Sequence, residues 1–128
     1  MDQVSQQIAD LASTLLPQLL VLDHPTIELL RAQYARARIA SIEATGVGFF
    51  IRYDVPSDSP QTEPSHFAGG NAAISITGLE TPAGCVLFVR DGKLDTLELY
   101  CFDNIWPTDF RVLGFANVSP LRLPEATA

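Results

Sequence analysis

The chain has 128 residues, 47% hydrophobic and 18% charged, with 15 acidic side chains against 8 basic ones for a formal charge of -7. That length suits one domain, residues 1–128, that buries about two-thirds of its unfolded surface without metal or disulfide support. The apolar content excludes a disordered tail, and the acidic balance argues against direct contact with nucleic acid or an anionic membrane while allowing a basic protein partner. The same charge is also an ordinary means of staying soluble.

The start, Met1 to Gln7, has no basic region, and Pro17 and Gln18 interrupt the apolar run from Leu15 to Leu22. Neither a signal peptide nor a membrane span is expected. With only Cys85 and Cys101 present, the expectation is a cytoplasmic chain with reduced thiols.

Val4, Ile8, Leu11 and Leu15 recur at helical spacing, which predicts a helix from Asp2 to Leu16 that Pro17 ends or kinks. Asp23-His24-Pro25 opens a second helix, since proline suits the first helical position and Asp23 or His24 can cap it. Ile27, Leu30, Tyr34 and Ala37 mark its buried side. An N-terminal helical hairpin follows from these two segments.

After Arg38 the period falls to two. Arg38 to Thr45 and Val47 to Val55 form a strand pair around Gly46, with Phe49, Ile51 and Tyr53 facing one way and Phe50 and Arg52 the other. Residues 56–70, with three prolines and two glycines, read as a long surface loop and hence as a first place to look for a site. Strands resume at Asn71 to Leu79 and Cys85 to Arg90, and Asp91-Gly92 is the signature of a two-residue type I′ hairpin turn. Counted back from that turn, Val86, Phe88, Leu97, Leu99 and Cys101 are expected to meet the helices, while Cys85, Leu87, Val89, Leu94, Thr96, Glu98 and Tyr100 form a mixed outer face. Cys85 and Cys101 then lie on opposite faces unless a bulge intervenes. One last edge strand is expected within Phe110 to Phe115, and fraying from Leu123 to Ala128. The predicted architecture is α+β: a helical hairpin on one face of an antiparallel sheet of about five to six strands.

The strand Gly46-Val47-Gly48-Phe49-Phe50, the block Leu87-Phe88-Val89-Arg90-Asp91-Gly92-Lys93-Leu94-Asp95, and Leu97-Glu98, Tyr100 and Trp106-Pro107 after it resemble a group of small bacterial proteins of uncharacterised function. The likeness spans about Ala37 to Asp109 and implies no particular chemistry. Small acidic proteins of this general build also occur as immunity partners of bacterial toxins, an analogy of size and charge.

The inventory for catalysis is thin. His24 and His66 are the only histidines, no spacing fits a metal, and no cofactor motif is present. His66 lies in the 56–70 loop just ahead of Gly69-Gly70, where a backbone can approach a ligand; its ordinary reading is an exposed loop histidine. Glu98 and Tyr100 alternate on the outer face and would line a site only if something encloses them. Trp106 reads as the plug at one end of the core or as an interface anchor. Arg31 and Arg36, with Arg38, form a basic helix face that is either solvated or a docking patch. The leading expectation is a non-enzymatic binding protein, of an immunity or antidote kind, meeting a basic partner. The alternatives are a small-molecule-binding domain or enzyme using His66, Glu98 and Tyr100, and a homodimer formed through an edge strand or the helix-one stripe.

Overall fold

A computed structural model describes residues 2–103 and 105–124. Two helices, α1 (Gln3–Leu19) and α2 (Pro25–Arg36), precede seven strands: β1 (Arg38–Ala44), β2 (Gly48–Asp54), β3 (Phe67–Gly69), β4 (Asn71–Ile76), β5 (Gly84–Arg90), β6 (Lys93–Tyr100) and β7 (Val112–Ser119). All pairings are antiparallel, in a five-stranded sheet of order β1-β2-β6-β5-β3 and a two-stranded sheet of β4 and β7. The α+β architecture with an N-terminal helical region is therefore as the sequence predicts.

Asp2 caps α1 by accepting the Ser5 N–H at 2.7 Å. Ile8, Leu11, Ala12, Leu15, Leu16 and Leu19 are buried, whereas Val4, expected in the stripe, is exposed. Pro17 does not end the helix. It costs one hydrogen bond in the last turn, and burial of Leu16 and Leu19 on either side offsets that loss. His24 caps α2, its Nδ1 accepting the Thr26 N–H at 3.1 Å, with Pro25 first in the helix.

The two sheets are nearly continuous. β3 pairs with Val89 to Leu87, and β4, after a left-handed Gly70, meets Ala83 through Ile74 in two 2.8 Å bonds. At the break the Asn71 side chain accepts the amides of Cys85 and Ala72. β3 and β4 thus act as one bent strand, which turns the sheet around α1 and leaves β1 and β7 as its edges.

Asp91 and Gly92 both have positive φ, 53° and 71°, as a type I′ turn requires. The register beyond it differs from the expected one. Val89 opposes Leu94 but Phe88 opposes Thr96, so Asp95 is the extra residue of a β-bulge, bound by Arg90 at 2.9 Å and by the Thr96 hydroxyl. Cys85, Leu87 and Val89 consequently face the helices with Leu97 and Leu99, and Val86 and Phe88 turn outward, the reverse of the expectation for β5. The bulge also removes the opposition of the cysteines: Cys85 pairs with Leu99, and both Cys85 and Cys101 are buried, free thiols.

Residues 56–70 are not a bare surface loop. They contain β3, and Ser59, Thr62 and Phe67 are buried. Gln33 of α2 is the anchor: its Nε2 donates to the Pro60 and Gly92 carbonyls at 2.9 and 3.0 Å, and its Oε1 accepts the Leu94 N–H at 2.8 Å. The Thr26 hydroxyl adds a bond to the Glu63 carbonyl. At the other end of the chain, β7 falls at 112–119 rather than 110–115, and Leu121 is buried with its N–H on the Leu19 carbonyl. Leu123, expected to fray, packs against the core, and residues 125–128 lie outside the described residues. Among the described residues no helix is long and apolar enough to cross a membrane.

Gln33→Ala should leave the Pro60 carbonyl and the Leu94 N–H without their side-chain partner, the Gly92 carbonyl keeping the Thr62 N–H, and destabilise the fold by about 2 to 3 kcal/mol in urea unfolding, whereas Arg36→Ala, at an exposed ion pair, should cost under about 1 kcal/mol.

Candidate functional site

The side of the five-stranded sheet turned away from the helices carries Phe50 and Arg52 from β2, Thr96, Glu98 and Tyr100 from the central strand β6, and Val86 and Phe88 from β5. Glu98 lies directly between Phe50 and Val86. It has no hydrogen-bond or ion-pair partner among the described residues, while its charged neighbours are paired: Arg52 with Glu43 at 4.0 Å and Arg90 with Asp95 at 2.9 Å. Both arginines also cover aromatic rings, Arg52 over Phe50 at 5.8 Å and Arg90 over Phe88 at 4.8 Å. The face therefore carries one uncompensated negative charge in an aromatic surround.

Tyr100 lies flat across Gly84, where an added Cβ would stand 2.8 Å from its ring, and meets the exposed Phe102 edge-on at 5.5 Å. Desolvation, with Cys85 and Glu98 nearby, raises its hydroxyl above the usual tyrosine range. Beneath it, burial pushes the Cys85 thiol up to about 11. Such a thiol is a packing group rather than a nucleophile at neutral pH.

His66 does not join this face. It sits at the hairpin corner, its Nδ1 accepting the Asp91 N–H at 3.4 Å and its Nε2 lying 3.6 Å from the Asp91 carboxylate. Glu98 is five residues further along β6 from Lys93, about 17 Å at the usual strand rise. The three candidate ligand-binding residues are thus split between two places.

Trp106 is buried, edge-on to Phe49 at 5.4 Å and to Phe110 at 5.7 Å, with its main-chain N–H on the Gly46 carbonyl at 2.9 Å. It plugs the end of the core and is not presented to a partner. Arg31 is turned inward onto the Leu20 and Leu22 carbonyls at 2.7 and 3.1 Å, holding the turn between the helices. Arg36 is paired with Asp58 and Arg38 with Asp54. No free basic patch forms on α2.

Clefts of about 280 to 520 Å³ lie along α1, β7 and the 71–84 turn, and none of these is lined by His66, Glu98 or Tyr100. Among the described residues no three His, Cys, Asp or Glu side chains gather closely enough to hold a metal ion. Sequence reasoning missed Val86 and Phe88 as members of the outer face. The signal was there in the Leu94 to Leu97 spacing, three residues where strict alternation allows only two or four.

Gly84→Ala should displace the Tyr100 ring and cost about 1 to 2 kcal/mol, and in a Tyr100→Ala background the cost should fall near zero, a coupling that a double-mutant cycle of unfolding energies measures. Alkaline pH gives a second test. Cys85 keeps its proton in the folded chain up to about 11 but releases it from about 9 when unfolded, so stability is unaffected below pH 9 and falls by about 2 to 3 kcal/mol toward pH 11. Tyr53 and Tyr34, also raised by burial, extend the loss, and Cys85→Ala should remove the part below pH 10. Compared with known proteins, the chain matches no family model, no curated protein and no solved structure.

Proposed function

We propose that this chain is a non-enzymatic binding domain that takes a basic protein partner onto the outer face of its five-stranded sheet. The observation that carries the reading is Glu98, an unpaired carboxylate in the central strand, between Phe50 and Val86 and beside Tyr100. A lysine or arginine of a partner would meet a negative charge bordered by Phe50, Val86 and Tyr100, where charge attraction and burial of the partner's aliphatic stem add. The excess of acid over base gives the long-range part of the attraction: five of the eight basic residues are already held in ion pairs with the chain's own carboxylates. A bacterial antidote that neutralises a basic toxin is the specific form of this reading, supported by the analogy of size and charge alone.

The alternative of a small-molecule site built from His66, Glu98 and Tyr100 has less support, because the first of these is separated from the other two along the strand. To test the proposal, the immobilised chain and its Glu98→Arg variant are exposed to lysate of the source cell at low and at high salt. The expected result is a basic protein retained by the parent at low salt and released at high salt, with at least about a tenfold loss of affinity for the variant at unchanged thermal midpoint. Equal capture by both chains, or capture insensitive to salt, would refute the outer face as the binding surface.

A further inference from the structure

We propose that the free edge of β7 and the side of α1 beside it form a groove that takes an extended, basic peptide segment of a partner protein as an added strand. A cleft of about 470 Å³ has Gln7, Asp10, Leu11 and Thr14 of α1 on one wall and the consecutive residues 110–115 on the other. Side chains on a strand alternate between faces, so only the edge of a strand lines a cleft with every residue in turn. A second cleft, of about 520 Å³, shares Gln7, Phe110 and Arg111 with the first and carries the groove on to Gln3 and Val4. From Gln3 to Thr14 the helix rises about 16 Å, the length of a five-residue extended segment.

Among the described residues the main chain on this edge is available. There β7 has one strand neighbour, β4, and beyond that ladder and the Thr77–Arg111 link residues 110–119 bond to Gln7, whose Nε2 donates to the Phe110 carbonyl at 3.0 Å. A helix side chain thus already supplies at one end what an added strand would supply along the rest. Edge strands are commonly blunted by charge or proline. β7 has neither; it is bulged at two places, at Asn117, where φ is 51°, and at Leu113, whose side chain is 67% exposed beside an exposed Val112.

Charge selects among occupants. The groove carries the carboxylates of Asp10 and Asp109 against the single guanidinium of Arg111. A second copy would bring another chain of charge -7 against that wall, whereas a segment with alternating apolar residues and a lysine or arginine matches both the exposed Leu113 and the carboxylates. Strand addition draws its affinity from main-chain hydrogen bonds and its selectivity from alternate side chains. The groove is separate from the outer sheet face, so either surface can fail without the other.

The test pans the full chain against a display library of random linear peptides and then uses the enriched peptides as probes. Enrichment of apolar sequences carrying Lys or Arg, slowed hydrogen exchange at 112–118 on binding, and loss of binding when alternate peptide amides are N-methylated are the expected results. Asp10→Arg should weaken binding about tenfold, while Asp23→Arg, the same charge change in the turn between the helices, should leave it unaltered. The proposal is overturned if no linear peptide is enriched, if N-methylated peptides bind equally, or if light scattering finds a dimer whose formation protects these same amides.

Discussion

Everything else in the molecule depends on burying the apolar stripe of α1 inside a sheet bent around it. Ile8, Leu15, Leu16 and Leu19 are fully inaccessible, and they meet Ile51, Ile74, Leu87, Leu97 and Leu121 from strands and tail distant in sequence. Each such side chain contributes about 1.5 to 3 kcal/mol relative to exposure, far more than any of the surface ion pairs. A flat sheet could not reach the helix from so many directions. The bend at Gly70, where the backbone takes a positive φ and Asn71 replaces lost ladder bonds with its side chain, therefore belongs to the same constraint.

Burial on that scale favours pairing of the buried polar groups, and the chain pairs most of its buried main-chain groups with few side chains, while Ser59 Oγ and Trp106 Nε1 stay without a partner among the described residues. Gln33 engages three main-chain groups of the 56–70 segment and the hairpin corner, and Arg31 takes two carbonyls between the helices. Gly92 is fixed by the same packing: beyond its positive φ, an added Cβ would stand 2.6 Å from Gln61. A stretch that composition marks as loop is thus tied to α2, its Pro60 carbonyl to the buried Gln33 amide and its Glu63 carbonyl to the Thr26 hydroxyl.

With the helices on one side, the outer sheet face and the β7 edge are the surfaces left with unmet capacity. On the readings proposed above, an isolated carboxylate among rings, a strand edge and exposed aliphatic groups are what a partner would meet there. Paired arginines and a buried tryptophan show the opposite: residues of types common at interfaces, here consumed by the fold itself.

Legible from local physics were the helical stripe of Ile8, Leu11 and Leu15, the His24-Pro25 start of α2, the alternation of Phe49 and Ile51 with Phe50 and Arg52, and the Asp91-Gly92 turn. Each rests on the period of one element or on the φ values two adjacent residues accept. The remaining features were set by contacts between distant segments. The bulge at Asp95 reversed the faces of β5 because a one-residue insertion inverts every side chain beyond it. Pro17 stayed helical, Arg31 turned inward, Gln33 became a buried hub and β7 found β4 because each outcome is set by a partner far away in the chain, which no local pattern encodes.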